Sequence, residues 1–489
     1  NVGIPRVLSG DFASHSGSLF LNSNSKGTLR EVFMWVAPEG NDGNPCTEAL
    51  PCASPFRVAQ RGADLNNNAD GVTVYMKKSA DGTPGRYAWP RTYWPAPYTY
   101  TRFLTISSAP GLDRSEVIFD RGVAPNSDGA YDQAGGFGTS KVHMKDLTFE
   151  RTAANTDNSG NRGNPYGGAW LWLQNVHFDG KGSGLGRPHS GWDGIWATDG
   201  SSVDSYEWAF YGALLLRGVR ITKISSQGWQ DVGGIFYSTI DVIDPSLYPE
   251  RGVHPDLEYW WGMSGDVNAI RKNLRVYDSS AQTIFIKNGV PISNVVWDNV
   301  LYDSANSDIN AQNIDHFIIK DSTFSGGAWY STAAGLDPSY TMTWKNVLIK
   351  NSIFNLWALS IGGENVNIFS NHYILSPPTW GAQTPGTDFT TGDPGFVDQG
   401  SNDFTPKSDS VLCRSNGITV GAIVVSKRAY FVDVYTGDKL RNYLSTFSII
   451  WATAPIIAPF VGGYLQSFFG WQANFYFLAC FASIILVLE

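Results

Sequence analysis

The stretch Val295-Val-Trp-Asp-Asn-Val-Leu-Tyr302 follows a period-two pattern that is rich in β-branched and aromatic residues, with a polar pair at its centre. Such a pattern is typical of a β-strand. Asn299 suits a tight turn because Asn tolerates the left-handed backbone conformation and bonds its own main chain. The stretch therefore predicts short strand segments joined by a tight polar turn.

The same phrase, Asn, Asp or Gly followed three residues later by an apolar residue, recurs along the chain. Its first residues are separated by 29, 43, 55, 26, 22 and 30 positions, so the two long intervals predict double steps of an irregular period in the twenties. The copies are Asp146–Phe149, Asn175–Phe178, Gly218–Ile221, Asn273–Val276, Asn299–Tyr302, Asp321–Phe324 and Asn351–Phe354. Internal self-similarity of this kind is the signature of a stacked repeat architecture.

No amphipathic stretch long enough for a helical crossover separates the copies, which excludes helix-based solenoids. One strand-turn unit cannot bury its apolar residues alone, whereas stacked coils share a continuous interior. We therefore predict an all-β fold, a right-handed parallel β-helix solenoid over residues 28–410. Residues 1–27 lack periodicity and predict a leader or linker, and no signal peptide is visible.

Several phrases resemble the pectate-lyase-like superfamily of right-handed parallel β-helix proteins. They are His316–Phe324, Trp344–Phe354, the opening loop with Pro45 and Pro51, the strand Val72–Tyr75, and the closing phrase Asp393–Asp398 with Asp403 and Phe404. The resemblance implies the fold and a secreted, periplasmic or cell-surface location. It leaves activity open, because this fold hosts lyases, hydrolases, epimerases and adhesins.

The composition of the chain limits the classes of molecule that it can bind. The formal net charge of -9 supplies no basic stripe for nucleic acid, so we expect no nucleic-acid partner. Cys46 and Cys52 lie close enough in sequence to close one surface loop by a disulfide in an oxidising compartment, and two free thiols are the alternative.

The C-terminal residues 411–489 differ from the rest of the chain. Residues 442–488 contain no charged side chain, which predicts an α-helical transmembrane hairpin with helices at 443–465 and 471–488. A pair of buried core helices is the alternative, but soluble helices are normally amphipathic. The hairpin would make the membrane a partner.

This segment resembles drug antiporters of the bicyclomycin-resistance type in the major facilitator superfamily. The matching residues are Lys427-Arg428-Ala429, Asp433, Tyr435-Thr-Gly437, Ala454-Pro455, Ala458-Pro459, Gly462-Gly463 and Gly470-Trp471. Such a transporter needs two six-helix halves, whereas this segment holds two spans and the short stub 418–425, so we expect no transport by this chain alone. The basic residues of the segment would also hold the β-helix in the cytoplasm, which conflicts with a secreted location.

Chemistry is expected where insertions interrupt the repeat, between Gly228 and Lys287. If 254–261 is a strand, Asp256, Glu258 and Trp260 share one face. Asp231 precedes Asp256 by one coil length, which predicts that the two are stacked neighbours. The candidate catalytic residues are Asp231, His254, Asp256, Glu258 and Lys287, with turn-capping Asp residues and a solvated Lys as the alternative.

Two mechanisms fit these residue types. In a lyase, carboxylates would hold Ca²⁺ against a uronate while Lys287, Arg251 or His254 removes the adjacent ring proton. In a glycoside hydrolase, two carboxylates would share the acid and the base or nucleophile roles. Ca²⁺ is therefore a candidate cofactor.

Exposed Trp rings offer apolar platforms for sugars, although a Trp in a solenoid is also a common core residue. The predicted substrate-binding residues are Trp192, Trp196, Trp229, Arg251, Trp260 and Trp261. We expect a carbohydrate-active protein that acts on a polysaccharide. The alternatives are a non-catalytic carbohydrate-binding or adhesive β-helix, and a truncated drug-transporter fusion without transport activity.

Overall fold

The computed structural model separates the chain into two compact units, Asn1–Ala422 and Ile423–Glu489. It describes residues 31–55, 71–88, 103–120, 141–150, 166–168, 170–182, 188–192, 194–244, 256–260, 265–266, 269–286, 292–304, 309–311, 313–325, 328–330, 343–354, 358–360, 363–374, 379–380, 388–391, 395–398, 401, 403–407 and 410. All of them belong to the first unit. The predicted membrane hairpin and its transporter-like flank lie outside the described residues.

The described part of the chain is built from 38 short strands and one 3-10 helix, Arg114–Glu116. The strands of the first half are β1 Glu31–Val36, β2 Gly71–Met76, β3 Gly85–Ala88, β4 Phe103–Ser108, β5 Val117–Asp120, β6 Lys141–Lys145, β7 Thr148–Glu150, β8 Tyr166–Gly168, β9 Trp170–Gln174, β10 His177–Asp179, β11 Ser190–Trp192, β12 Ile195–Thr198, β13 Ser202–Asp204, β14 Trp208–Tyr211, β15 Ala213–Arg217, β16 Arg220–Thr222, β17 Gln227–Gln230, β18 Gly234–Phe236 and β19 Thr239–Ile240. Those of the second half are β20 Asp256–Trp260, β21 Gly265–Asp266, β22 Ile270–Lys272, β23 Arg275–Ser279, β24 Gln282–Ile286, β25 Ile292–Asp298, β26 Leu301–Ser304, β27 Ile309–Ala311, β28 Asn313–Lys320, β29 Thr323–Phe324, β30 Ala328–Tyr330, β31 Thr343–Lys350, β32 Ile353–Phe354, β33 Ala358–Ser360, β34 Gly363–Ile374, β35 Thr379–Trp380, β36 Asp388–Thr391, β37 Phe396–Asp398 and β38 Asp403–Pro406.

These strands stack in three ladders of parallel strands. The first ladder runs β1-β2-β4-β6-β9-β12-β15-β18-β22-β25-β28-β31-β34-β36, the second runs from β3 through β5, β7 and β10 to β32, and the third is the eight-stranded sheet from β14 to β35. Each strand pairs with the strand one coil away, and β37 with β38 is the antiparallel exception among the described pairs. The predicted all-β parallel solenoid is confirmed, while its right-handed turn stays a prediction that follows the usual hand of parallel crossovers.

One side-chain position of the second ladder shows how the interior is filled. Consecutive coils place apolar residues in exact register, so each ring or branched side chain lies on the equivalent one of the next coil. The phenyl rings of Phe119, Phe149 and Phe178 stack with centroids 5.0 and 5.1 Å apart. The series, each member at most 3% exposed, is Tyr87, Phe119, Phe149, Phe178, Val203, Ile221, Ile240, Val276, Tyr302 and Phe324.

The recurring phrase of the sequence marks one turn of the coil. Its first residue has a positive φ between 49° and 61° in all seven copies. In the six copies from Asp146 to Asp321 its amide donates to a carbonyl of the next coil, as from Asn299 to Lys320. The side chains also form a ladder, since Asn175 Nδ2 donates to Asp146 Oδ1 at 2.8 Å and Asn351 Nδ2 to Asp321 Oδ1 at 3.2 Å.

The two double steps predicted from the long intervals are confirmed. Gly200, with φ of 87°, occupies the turn between Asn175 and Gly218, and its amide donates to the Gly218 carbonyl. Tyr237, with φ of 50°, occupies the turn between Gly218 and Asn273, and its amide donates to the Lys272 carbonyl. Both turns keep the apolar residue three positions later, Val203 and Ile240, and at the second turn Tyr237 stands in place of the Asn, Asp or Gly of the phrase.

A disulfide loop covers part of the free edge of the first strand. Cys46 and Cys52 are disulfide-bonded, which is one of the two alternatives that the sequence left open, and both are buried. The Trp35 amide donates to the Cys46 carbonyl at 2.9 Å, the Cys52 amide donates to the Trp35 carbonyl at 3.0 Å, and the Ala37 amide donates to the Cys52 carbonyl at 3.0 Å. The loop thereby satisfies edge groups that would otherwise invite pairing with another chain.

Among the residues that the structure describes, no helix has the length and apolar character needed to cross a membrane.

The hydrogen bonds between equivalent turn residues of neighbouring coils predict that substitution of Asn299 lowers the free energy of unfolding. Asn299→Ala removes the side-chain bonds to Asn273 and Arg275 and leaves a Cβ residue without polar compensation at φ of 57°. We expect a loss of about 2 kcal/mol in the free energy of unfolding, and a smaller loss for Asn299→Gly, which has no Cβ. Urea unfolding followed by far-UV circular dichroism measures both.

Lys350→Ala, at an exposed position of β31, is the matched control and should stay within about 0.5 kcal/mol of the parent chain. Equal losses in N299A, N299G and K350A would contradict a specific role for the turn.

Candidate functional site

Strand β20 has the side-chain alternation predicted for the candidate site, but the face it offers is buried. Asp256, Glu258 and Trp260 share one face, and they are 2%, 1% and 1% exposed. In register with Glu258 lie Trp229 of β17 and Ile284 of β24, both buried. Asp256 and Glu258 are therefore in the interior of the coil rather than on a solvent-facing wall.

Glu258 forms an ion pair with Arg271, which is fully buried. The Arg271 Nη2 and Nε groups donate to the two Glu258 carboxylate oxygens, and Nη1 donates to the Gly233 carbonyl at 2.6 Å. The guanidinium lies 5.8 Å from the Trp229 ring centroid and 5.5 Å from that of Trp260. The pair is enclosed and hydrogen-bonded, as a buried charge requires.

This polar interior extends to the next coils. Burial raises the pKa of Tyr302 well above its ordinary value, and the nearby Glu258 carboxylate adds to the effect. Trp229 Nε1, Trp297 Nε1 and the Tyr302 hydroxyl have no hydrogen-bond partner within the described part of the chain. Sequence analysis missed Arg271, because nothing in Ile270-Arg-Lys272 distinguishes an inward from an outward cation.

The structure does not stack Asp231 on Asp256. Strand register pairs Gln227 with Asp256 and Gln230 with Tyr259, which places Asp231 beside Trp260. Asp231 has a positive φ of 51°, and its amide donates to the Tyr259 carbonyl at 3.0 Å. The predicted stacking was wrong because a separation of one average coil does not set the register when coil lengths differ.

The remaining predicted residues divide into two groups. His254, Lys287, Arg251 and Trp261 lie outside the described residues, as does the side chain of Trp192 in β11. Trp229 and Trp260 are core residues, which is the alternative that the sequence left open, and Trp196 of β12 is 9% exposed.

The described part of the chain contains no arrangement of side chains that could bind Ca²⁺. No group of three or more His, Cys, Asp or Glu side chains there is arranged to hold a metal ion. The described residues thus do not form a binding site for the Ca²⁺ ion that was considered as a cofactor.

A different surface gathers aromatic side chains. The outward positions of six consecutive strands of the first ladder, β1, β2, β4, β6, β9 and β12, carry eight rings. We call this surface the outer aromatic face; it consists of Phe33, Trp35, Tyr75, Phe103, His143, Trp170, Trp172 and Trp196.

The rings of the outer aromatic face contact one another along the solenoid. Phe33, which is 53% exposed, stacks on Tyr75 at 5.9 Å, and the Trp35 ring lies 4.9 Å from that of Tyr75. The His143 and Trp172 rings stack at 4.0 Å with an interplanar angle of 9°. At the far end Trp170 meets Trp196 edge-on at 6.3 Å. Outward positions between these rings hold Ser107, Lys141 and Lys145, so the face is amphipathic.

Gly194 makes room for this packing. A Cβ at that position would lie 2.7 Å from atoms of the Trp170 indole, closer than real contacts allow. The bare backbone before β12 therefore lets the indole lie across it.

A polar network holds the centre of the face. The Trp172 indole N–H donates to Thr198 Oγ1 at 3.0 Å, and Gln174 Nε2 donates to Asp199 Oδ2 at 3.0 Å. Gln174 Oε1 lies 3.0 Å from His143 Nε2. Burial lowers the pKa of His143 to about 4, so the imidazole is neutral at ordinary pH.

Sequence analysis did not identify this face as a site, although the signal was present. Val32-Phe-Met-Trp-Val36 and Trp170-Leu-Trp-Leu173 both alternate aromatic with aliphatic residues, which predicts a strand with an aromatic outer side. Only the pairing of distant strands shows that these short segments form one surface.

Comparison with known proteins leaves the family of the whole chain open. No family model matches the chain. Among solved structures, a rhamnogalacturonan lyase is 11% identical with a TM-score of 0.27, covering 74% of this chain and 85% of that chain. A GH136 lacto-N-biosidase from Eubacterium ramulus is 10% identical with a TM-score of 0.30, covering 74% of this chain and 67% of that chain. The fold assignment rests on the strand pairing described above.

Two curated proteins match a short part of the chain. A bicyclomycin resistance protein homolog from Haemophilus influenzae is 36% identical over 63 residues, 13% of this chain and 16% of the relative. An uncharacterised MFS-type transporter, YdgK, from Bacillus subtilis is 35% identical over 74 residues, 15% of this chain and 18% of the relative. The chain thus spans less than a fifth of these curated relatives, and a small part of it is similar to MFS transporters.

The buried ion pair predicts an asymmetric mutational response. Arg271→Met leaves the Glu258 carboxylate buried without its partner and should cost about 3–5 kcal/mol, whereas the double change Arg271→Met with Glu258→Leu should recover a large part of that loss. Denaturant unfolding of the full chain gives both values.

Arg220→Met is the control, since Arg220 is 68% exposed in its ion pair with Asp241 and should cost no more than about 1 kcal/mol. A double variant as unstable as R271M would show that Glu258 does not depend on Arg271.

Proposed function

We propose that the solenoid binds a polysaccharide along the outer aromatic face. The observation that carries this proposal is the set of eight rings on the outward positions of six consecutive coils. Loops and turns usually separate aromatic residues on a soluble surface, and contiguous exposed apolar strips normally mark an interaction site.

The dimensions suit a chain-like ligand. Neighbouring parallel strands lie about 4.8 Å apart, so six coils extend the face by about 24 Å along the solenoid axis. A strip of that length and direction accommodates several consecutive sugar rings. A compact small molecule would use only a fraction of it.

The chemistry of the face suits sugars. Pyranose rings present apolar C–H groups to aromatic side chains, while their hydroxyls need donors and acceptors nearby. Polar side chains lie between the rings in the same outward columns, namely Thr105, Lys141, Lys145 and Gln174. Lys77 Nζ lies 5.7 Å from the Trp35 ring centroid at one end.

Binding is favoured over catalysis by the placement of the candidate catalytic residues. Asp256 and Glu258 are buried, and Glu258 is bonded to Arg271. Cleavage by a lyase or a hydrolase mechanism is the second candidate function, and it would rest on His254 and Lys287. The Cys46–Cys52 disulfide supports a location outside the cytoplasm, in the secreted, periplasmic or cell-surface classes.

The C-terminal segment has a separate proposed role. Residues 443–465 and 471–488 form a membrane hairpin in this proposal, and the supporting observation is the absence of charge over 442–488. The expressed full chain should then stay in the membrane pellet after alkaline carbonate extraction, and a chain ending at 410 should not. Recovery of the full chain in the supernatant would contradict the hairpin.

The binding proposal predicts a specific loss in Trp172→Ala. Full-length protein is tested by isothermal titration against xylan, galactomannan, β-glucan and polygalacturonate, and the variant should bind at least about tenfold more weakly, equivalent to 1.4 kcal/mol. Tyr211→Ala is the matched control, because Tyr211 is 42% exposed on the third ladder and should leave affinity unchanged.

The same incubations distinguish binding from cleavage. Unsaturated uronate ends would indicate a lyase, new reducing ends without them a hydrolase, and neither product a binding protein. Equal affinities of W172A and the parent chain would reject the outer aromatic face as the binding surface.

A further inference from the structure

The centre of the outer aromatic face holds a histidine with a determined tautomer. Asp199 carries a carboxylate, which accepts hydrogen bonds and cannot donate them at neutral pH. The side-chain nitrogen of Gln174 must therefore face Asp199 Oδ2, at 3.0 Å, and its oxygen must face His143. The amide orientation follows from the acceptor at its far end.

The orientation of Gln174 decides which imidazole nitrogen carries the proton. Gln174 Oε1 is an acceptor, so His143 Nε2, 3.0 Å away, must be the donor. In a neutral imidazole the other nitrogen then carries a lone pair. His143 Nδ1 has no hydrogen-bond partner among the residues that the structure describes.

The same carboxylate also fixes the neighbouring indole. Thr198 Oγ1 accepts from the Trp172 indole N–H at 3.0 Å, which leaves its own proton for Asp199 Oδ2 at 3.4 Å. The rings of His143 and Trp172, stacked at 4.0 Å, are thus both anchored through one exposed residue. Asp199 holds a positive φ of 54° in the turn after β12.

We infer that Asp199 is a positioning residue that holds His143 in the Nε2–H form, so that Nδ1 accepts a hydrogen bond from a hydroxyl of a sugar resting against Trp172. This inference rests on the proposed function and identifies one sugar position within it. A hydroxyl can donate to the lone pair, whereas a carboxylate has only acceptors to offer. The position therefore takes a ring hydroxyl of the sugar and not a carboxylate group.

The electrostatic surroundings keep His143 neutral. Its own strand contributes Lys141 and Lys145, and Lys145 lowers the pKa of His143 further, in the same direction as burial. The flanking strand β4 presents Thr105 and Ser107, and β9 presents Trp172 and Gln174, none of them charged. The nearest carboxylate of the network, Asp199, reaches His143 only through the Gln174 amide.

The tautomer is tested without any ligand. In full-length protein labelled with ¹⁵N-histidine, the His143 resonances, assigned by their absence in His143→Phe, should show a protonated Nε2 and an unprotonated Nδ1 at pH 7. Asp199→Ala should bring the tautomers toward an even mixture. A protonated Nδ1 in the parent protein would overturn the inference.

Binding is tested with xylan, galactomannan and β-glucan as neutral probes and polygalacturonate as the acidic one. His143→Phe keeps a ring against Trp172 but has no acceptor, and it should weaken binding of each probe that the parent protein binds about tenfold; His143→Gln, which supplies an amide oxygen, should recover part of the loss. His316→Asn, at an exposed position of β28, is the control. Unchanged affinity in H143F, with W172A impaired, would overturn the inference and leave the proposed function standing.

The pH profile separates hydrogen bonding from packing. The acceptor is the neutral imidazole, so affinity should be level at neutral pH and fall as pH drops through about 4. Gln174→Glu places a carboxylate beside the ring, which stabilises the imidazolium and should move the fall to higher pH. A profile that is the same in both proteins contradicts the inference, and absence of binding to all four probes in the parent protein rejects the proposed function with it.

Discussion

The in-register stacking of successive coils is the constraint on which the described structure depends. Each strand of the three ladders pairs with the strand one coil away, so a residue at a given position contacts its equivalent above and below. Backbone groups that a single short strand would leave exposed are satisfied by the next coil. Equivalent positions of successive coils form a column of side chains. Each side chain must therefore fit its neighbours in that column, and the columns differ in polarity.

The columns explain why the same residue type has opposite roles in different coils. Aromatic rings fill the interior column that contains Phe119 and Phe149, where they exclude water. On the outward side of the first ladder, Trp172 and His143 stack on each other among polar neighbours. Trp229 and Trp260 enclose the Arg271 guanidinium inside the coil, so an abundance of Trp does not by itself indicate a sugar site.

The placement of carboxylates follows the same logic. Glu258 looks like a catalytic residue in sequence because it alternates with Asp256 along one strand, yet that face is interior and its partner is Arg271. Asp199 attracts no notice in sequence, because it lies in a turn between two repeats. In the structure it anchors Gln174 and Thr198, and through them the centre of the outer aromatic face.

The sequence by itself determined the solenoid, its double steps and its left-handed turn positions, because these depend on local preferences repeated at the phrase that begins at Asn299 and its copies. It also determined the Cys46–Cys52 pairing as one of two alternatives. Only the tertiary structure decided the register between coils, since coil lengths vary and a shift of four residues separates Asp231 from Asp256. It likewise decided which alternating face is inside, because period two defines two faces without assigning either to the core.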